Sequence, residues 1–188
     1  MTMKYWFISD DVFFLKSLQL IIGERYQEVA FIDLNKEWAG IKPNAKDAVV
    51  VAVDNNHLRS CLLKKPVLLS TKLIVLVDIP LTPGETRCSF PCLLSKKIRR
   101  KEFIELLDDA ENIPLRRKIT SLRAVNIFTQ LCYGGKIPEI TGPPGLTTKS
   151  IYRIKRDVLQ EYGLTKCNSV GVLICRDLLV MSTHLIDK

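Results

Sequence analysis

The sequence has 188 residues, of which 47% are hydrophobic, and a formal net charge of +8. This length allows one large or two small domains with buried cores, and the hydrophobic fraction excludes a wholly disordered chain. No apolar run is as long as a transmembrane helix, which needs about 18 residues, and the start MTMKYWFISDD lacks the pattern of a signal peptide. We therefore expect a soluble, cytoplasmic protein without a membrane partner.

The first part of the chain alternates between strand and helix patterns. The predicted strands are apolar runs at residues 4–9, 28–34, 47–53, 72–77 and 90–95. Helical spacing predicts helices at 12–24, 36–41 and 101–110, whereas residues 55–69 are ambiguous because Pro66 interrupts any helix there. Continuous apolar runs are typical of parallel strands covered on both faces. The alternation predicts a doubly wound, flavodoxin-like α/β fold with five parallel strands.

Charged side chains follow three of these strands. Asp10 and Asp11 follow the first strand, Asp54 the third and Lys96 the fifth, and right-handed crossovers bring these strand ends to one edge of the sheet. We call these four residues the acidic site. The arrangement resembles the receiver domain of bacterial response regulators. The resemblance implies that the acidic pair helps to bind Mg²⁺, that the third-strand Asp accepts a phosphoryl group, and that the Lys contacts the phosphate.

The sequence also departs from the receiver pattern. Where the family places a Thr or Ser at the end of the fourth strand, this chain has Val77, whose side chain cannot donate a hydrogen bond. The loop after Asp54 reads Asn-Asn-His-Leu instead of leading to Met-Pro, and residues 81–84 read Leu-Thr-Pro-Gly. We therefore predict a receiver-like domain over residues 1–112 that serves in dimerisation or partner docking without phosphorylation. Working phosphorylation of Asp54, with Mg²⁺ at Asp10, Asp11 and Asp54, stays open, as does a merely solvated role for the acidic site.

Residues 113–118 are the predicted linker to an all-α domain over residues 119–188. Its first helix runs to about Tyr133 and ends at Gly134-Gly135, and a second begins at 136–140 but is cut short by Gly142-Pro143-Pro144-Gly145. A basic helix over 147–162 and an apolar helix over 168–181 complete four helices. Residues 115–188 hold 12 Lys and Arg against 5 Asp and Glu, whereas residues 1–114 hold 16 against 15. This asymmetry indicates that the second part binds a polyanion, either nucleic acid or acidic lipid.

The basic helix lies in the stretch LTTKSIYRIKRDVLQEYGL, residues 146–164. Thr147 and Thr148 are candidate N-caps, and Gly163 is a suitable stop. Apolar residues recur on one helical face at 151, 154, 158 and 159, while cations and hydroxyls occupy the early outward turns. Such a helix suits the major groove of DNA. A surface helix with a solvated basic face is the alternative for this segment alone.

The four-helix pattern resembles the helix-turn-helix DNA-binding domain of the LuxR/FixJ group of transcription regulators. The matching pieces, in order, are Ile119-Thr120-Ser121, Gly134, Glu139-Ile140, Gly145 to Ile151, Gly163-Leu164 and Asn168-Ser169-Val170. The resemblance implies a bacterial, sequence-specific transcription regulator that binds double-stranded DNA and uses no cofactor. The predicted DNA-binding residues are Thr147, Thr148, Lys149, Ser150, Tyr152, Arg153, Lys155, Arg156 and Lys166. Lys149, Arg153 and Arg156 form a groove-facing stripe at i, i+4 and i+7, while Thr147, Thr148 and Lys166 are placed for phosphates.

Two features leave alternatives open. The segment Thr141-Gly-Pro-Pro-Gly145 shortens the predicted second helix, from which the related family contacts phosphates. With fewer such contacts, the second interpretation is an auxiliary protein that docks on another regulator and contributes little direct DNA contact. The last helix is more apolar than its small domain needs, with Val170, Leu173, Ile174, Leu178 and Met181 available for a core or an interface. In the related family this helix pairs two domains, which implies a homodimer, or a heterodimer with a related regulator.

Cysteine and histidine spacing gives no metal or catalytic motif. The six cysteines contain no C-x-x-C pair, and His57 and His184 do not have the spacing of a zinc site. We expect reduced thiols packed as small apolar residues. No G-x-S-x-G motif, P-loop or Cys–His pairing is recognised, so an enzyme is the least favoured class.

Overall fold

The structure is a computed structural model that describes residues 3–82, 90–115, 121–137, 140, 146–164 and 168–183. The chain divides into two compact units. The α/β unit comprises Met1–Asp78 and Arg87–Arg116, and the helical unit comprises Ile79–Thr86 and Arg117–Lys188. Among the described residues, no helix combines the length and the apolar character needed to cross a bilayer.

A single five-stranded sheet forms the centre of the α/β unit. Its strands are β1 Tyr5–Ser9, β2 Val29–Asp33, β3 Ala48–Ala52, β4 Lys72–Val77 and β5 Cys92–Ser95. All neighbouring strands pair in parallel, in the order β2-β1-β3-β4-β5. Every residue of β1 and β3 is buried, as expected for strands that are covered on both faces. The predicted doubly wound sheet of five parallel strands is confirmed.

The α/β unit has three described α-helices. They are α1 Val12–Ile22, α2 Asn56–Leu63 and α3 Arg100–Asp108. Helices α1 and α3 contribute to one hydrophobic core with the central strands, which includes Leu15, Leu18, Ile22, Phe103, Leu106, Leu107, Phe7, Val50 and Ile74. These buried helical positions recur every three or four residues, which is the spacing that gave the sequence prediction.

The predicted helix at 36–41 is wrong. That segment forms turns, in which the Asp33 carbonyl accepts from the Lys36 and Glu37 N–H groups at 3.0 and 2.9 Å. The Asp33 carboxylate also accepts from the Asn35 N–H at 3.0 Å, and such local bonds compete with a helix. The ambiguous stretch 55–69 resolves into α2 and a 3₁₀ helix, Pro66–Ser70, which begins at the proline.

The start of the predicted linker contacts the α/β unit. The Phe90 N–H donates to the Pro114 carbonyl at 3.0 Å, and Phe90 forms a parallel bridge with Leu115. The Lys72 ammonium donates to the Ile113 carbonyl. The predicted linker 113–118 therefore begins with residues that are bonded to the sheet.

The helical unit contains α4 Leu122–Cys132, α5 Thr148–Glu161 and α6 Ser169–Thr183, which pack against one another. Gly134 and Gly163 end the first two helices with φ values of +83° and +71°, which glycine adopts without strain. Ser121 stands at the N-cap of α4, and Thr120 lies outside the described residues, as do residues 138 and 139 of the predicted second helix. Within this unit, the Thr82 N–H donates to the Gly163 carbonyl at 2.9 Å.

Helix α6 is mainly a core helix. Ile174, Leu178 and Met181 are buried, whereas Val170 and Leu173 are half-buried. Asp177 is also fully buried and accepts from Arg176 Nε at 2.9 Å. The sequence pattern did not identify this ion pair, although the Arg-Asp dipeptide interrupts an otherwise apolar run. A buried carboxylate needs such a partner because desolvation disfavours its charge.

Candidate nucleic-acid interface and acidic site

Helix α5 has one buried face and one exposed face. Ile151, Val158 and Leu159 are buried, and Ile154 is half-buried. They pack against α4 and α6, which fixes the rotation of α5 about its own axis. The side of α5 turned to solvent is therefore determined by packing.

The exposed face carries most of the predicted DNA-binding side chains. Lys149, Tyr152, Arg153 and Arg156 are exposed, with 55% of Tyr152 accessible, and Lys155 is half-buried. We call Lys149, Arg153 and Arg156 the basic stripe. One acidic side chain adjoins it: Asp157 accepts from Arg156 Nη2 at 3.3 Å, and both side chains are largely exposed. An exposed pair of this kind is weak, so Arg156 can exchange Asp157 for another anion.

Two hydroxyls close the N-terminus of α5. Thr147 Oγ1 accepts from the Ser150 N–H at 3.2 Å, and Ser150 Oγ accepts from the Thr147 N–H at 3.0 Å. The predicted cap at Thr147 is thus observed as a reciprocal capping box. Thr148 is exposed beside it, and Lys166 lies outside the described residues. The hydroxyls of Thr147 and Ser150 therefore hold the helix start. The sequence analysis had predicted Thr147 or Thr148 as the cap, and it had listed Ser150 only as a DNA-binding residue.

The dimensions of α5 match a DNA groove. Fourteen helical residues span about 21 Å, and the major groove of B-DNA, about 12 Å wide, admits one α-helix. Positions 149, 153 and 156 lie on one side over two turns, so their cations point in similar directions. The N–H groups of the first turn other than that of Ser150, together with the helix dipole, favour anions at the same end.

The strand-end residues of the acidic site do lie along one edge of the sheet, but Asp10 is engaged by the backbone. Its Oδ1 accepts from the Asp54 N–H at 3.0 Å, and its Oδ2 accepts from the Asn55 N–H at 2.8 Å. Asp10 thereby fastens the end of β3 and the start of α2 to the end of β1. This role depends on three segments meeting in space.

The other members of the acidic site also have partners. Asp11 is the N-cap of α1, where its Oδ1 accepts from the Phe13 and Phe14 N–H groups at 2.8 and 3.1 Å. Asp54 Oδ2 forms an ion pair with Lys96 Nζ at 2.7 Å. Val77 is buried at the end of β4, so the hydroxyl that receivers place there is missing.

This donor set does not fit Mg²⁺. Magnesium needs several oxygens that converge on one point, whereas the carboxylates of Asp10, Asp11 and Asp54 accept bonds from separate partners. Across the described ranges, no three His, Cys, Asp or Glu side chains are grouped as a metal site would need. The described carboxylates at this edge therefore do not form a set of ligands for a metal ion.

A Cys–His contact was missed in the sequence. Cys61 Sγ lies 3.7 Å from His57 Nε2 on α2, one helical turn apart, and both residues are exposed. The spacing i, i+4 could have revealed it, but residues 55–69 were not recognised as helical. Of the described cysteines, Cys92 and Cys175 are buried as expected, Cys132 is half-buried, and Cys61 is exposed.

No family model matches the chain, and no curated protein matches it. Among solved structures, it is similar to RcsB from Salmonella enterica serovar Typhimurium bound to promoter rprA. The identity is 13% and the TM-score 0.39, over 92% of this chain and 98% of that one. It is also similar to the two-component response regulator RcsB in a DNA complex, at 12% identity and a TM-score of 0.43, over 94% and 99%.

A third similar structure is full-length FixJ from B. japonicum, at 12% identity and a TM-score of 0.33, over 94% of this chain and 98% of that one.

Proposed function

We propose that this protein is a sequence-specific, double-stranded-DNA-binding transcription regulator in which α5 enters the major groove. The observation that carries this proposal is the exposure of the basic stripe on a helix whose opposite face is buried. The concentration of positive charge after residue 114 supports it, because phosphate contacts dominate the affinity of proteins for DNA.

Within this proposal the side chains divide into two groups. Lys149, Arg153 and Arg156 address base edges, with Tyr152 and Lys155 beside them. Arg and Lys recognise guanine through its O6 and N7 acceptors, at about 1–3 kcal/mol of discrimination for a good bidentate pair. Thr148, the first-turn N–H groups and Lys166 address phosphates, and Thr147 and Ser150 hold the helix start in position.

We further propose that the α/β unit serves dimerisation or docking and does not signal by phosphorylation. The bonds of Asp10 to the backbone, the Asp54–Lys96 ion pair and the valine at position 77 support this. A homodimer would address a two-fold-symmetric DNA site, and a heterodimer with a related regulator would address a mixed one.

The test begins with duplexes selected from a random-sequence pool by the full-length chain. Binding of a selected duplex is then measured by fluorescence anisotropy against salt concentration, for wild type and Arg153→Ala. We expect Arg153→Ala to weaken binding about ten- to a hundredfold and to relax the sequence preference at one or two base pairs. A steep fall of affinity with salt should accompany wild-type binding.

The matched control is Lys64→Ala, which removes one exposed cation at the end of α2. It should leave both the affinity and the sequence preference unchanged. If Arg153→Ala also left both unchanged, the assignment of α5 would be wrong.

The second candidate function, an auxiliary protein that docks on another regulator, is favoured by one observation. Phe13 and Leu20 are 80% and 90% exposed on α1, where they offer apolar surface to a partner. The salt series discriminates between the two functions, because a docking protein would show no selected sequence and little salt dependence.

A further inference from the structure

We propose that His57 and Cys61 on α2 chelate a thiophilic divalent cation, with Zn²⁺ as the representative ion. Histidine and cysteine are the residue types that supply nitrogen and sulfur to zinc in proteins. We call these two residues the His57–Cys61 pair. Neither residue belongs to the acidic site or to the basic stripe, and the inference does not rest on the proposed DNA binding.

The packing of α2 turns the His57–Cys61 pair to solvent. Leu62 and Leu63 are fully buried, which fixes the rotation of the helix about its own axis. His57 and Cys61 lie one helical turn apart on the other side, and both are exposed. Residues at i and i+4 are neighbours on the surface of a helix, so an ion in solution can reach both side chains at once.

Local bonds hold the first turn of α2 in place. Asn55 Oδ1 accepts from the His57 N–H at 2.9 Å and from the Leu58 N–H at 3.1 Å. The backbone that carries His57 is therefore fixed by the fold before any ligand arrives. Less conformational entropy is lost on binding than for the same two side chains on a loop.

The distance within the pair matches a tetrahedral metal site. Cys61 Sγ lies 3.7 Å from His57 Nε2. Zinc binds sulfur at about 2.3 Å and imidazole nitrogen at about 2.0–2.1 Å, and two such bonds at the tetrahedral angle place their ligand atoms about 3.6 Å apart. The pair can therefore receive an ion with little movement. A weak thiol–imidazole hydrogen bond gives a similar distance, so the test is the binding of the ion itself.

The chemistry of the pair determines which ion it binds and how tightly. Thiolate and imidazole select zinc and similar ions, whereas Mg²⁺ and Ca²⁺ prefer oxygen ligands. In the part of the chain that the structure describes, no third His, Cys, Asp or Glu completes a metal-binding group with the pair, so water fills the remaining positions. We expect an exchangeable ion that binds more weakly than one held by four protein ligands. The thiol proton passes to solvent on binding, because the thiolate is the ligand.

The test is titration of the reduced, full-length chain with Zn²⁺ in a calorimeter and with Co²⁺ in a spectrophotometer. We expect one bound ion per chain that depends on the pair, and a thiolate-to-cobalt charge-transfer band in the near ultraviolet. Cys61→Ser and His57→Gln should each lower the affinity of this site about tenfold or more, since loss of even an outer-shell partner costs that much. Cys61→His should keep Zn²⁺ binding, because two imidazoles at i and i+4 also chelate zinc, but it should lose the charge-transfer band.

The matched control is Cys132→Ser, which removes a half-buried thiol on α4. It should bind Zn²⁺ as wild type does, and Mg²⁺ should not compete in either protein. Circular dichroism should show the same helix content in every variant, because positions 57 and 61 are exposed.

Three results would overturn the inference. They are a wild-type chain that binds no Zn²⁺, an affinity that Cys61→Ser and His57→Gln leave unchanged, and a stoichiometry of one ion per two chains. DNA binding is measured separately and without added metal, so each of these results leaves the proposed function standing.

Discussion

Asp108 joins the end of α3 to the segment after α1, because its carboxylate accepts from Arg25 Nη2 at 2.6 Å and from the Tyr26 hydroxyl at 2.8 Å. The hydrogen bond from Arg25 holds the pKa of Asp108 below its ordinary value of 3.8, and the Tyr26 hydroxyl adds to this effect while partial burial opposes it. Burial and the bond to Asp108 in turn raise the pKa of Tyr26. Because the pKa of Asp108 is lower in the folded chain, its bonds stabilise the fold above 3.8, and this contribution is lost as pH falls through the folded-state pKa.

We expect Asp108→Asn to lower the Tm at neutral pH and to make stability less dependent on pH below about pH 4. The effect should be modest, because the side chains of Arg25 and Asp108 are both partly exposed. Thermal unfolding followed by circular dichroism at several pH values checks this. The difference in Tm between variant and wild type should shrink on acidification, and a constant difference would contradict the assignment. Asp109→Asn, at the neighbouring exposed carboxylate, is the control.

At the scale of single elements, α5 depends on local bonds at both ends. Its capping box begins the helix, and the positive φ of Gly163 lets the chain leave it without strain. Between these ends, the side chains of the basic stripe are exposed. The position of the basic stripe therefore depends on a few residues that carry no charge.

Thr147→Ala should destabilise the helical unit by about 0.5–2 kcal/mol, because the Ser150 N–H loses its acceptor. Thr147→Ser should restore most of this stability, since serine supplies the same hydroxyl. Urea unfolding, followed by the circular dichroism signal of the helices, measures this change in the free energy of unfolding. Equal stability of Thr147→Ala and wild type would show that the capping box contributes nothing to the fold.

Sequence reasoning located some elements closely and failed on others for physical reasons. Strand β4 was predicted at its observed bounds, because a continuous apolar run between polar residues leaves few other positions at which a strand could begin or end. The helix at 36–41 was wrong, since six residues before Pro43 are too few to outweigh the local bonds of Asp33. The role of Asp10 could not be predicted, because its carboxylate accepts from the N–H groups of Asp54 and Asn55, which are 44 and 45 positions later in the sequence. The cap at Thr147 could be predicted, because its bond to Ser150 joins residues only three positions apart.

At the scale of the whole molecule, the α/β unit has a sheet of five parallel strands, and the carboxylates of its acidic site are bonded within the unit. Asp10 and Asp11 bind main-chain N–H groups, and Asp54 binds Lys96. These bonds support the fold of the unit itself.

We expect Asp54→Asn to bind selected DNA and to self-associate as wild type does, both with and without a small-molecule phosphodonor such as acetyl phosphate. Asp10→Ala should instead lower stability by about 1 kcal/mol, because two N–H groups lose their acceptor. Fluorescence anisotropy measures DNA binding, sedimentation velocity measures self-association, and thermal unfolding measures stability. A phosphodonor response in wild type that Asp54→Asn abolishes would establish phosphorylation control.

The capping box of α5 also bears on the thermodynamics of binding. Because Thr147 and Ser150 already close the first turn, the conformational entropy of that turn is lost when the protein folds and not when it meets a ligand. Association through α5 then involves no coupled folding of this helix. Its heat-capacity change should reflect only the surface that the two partners bury between them.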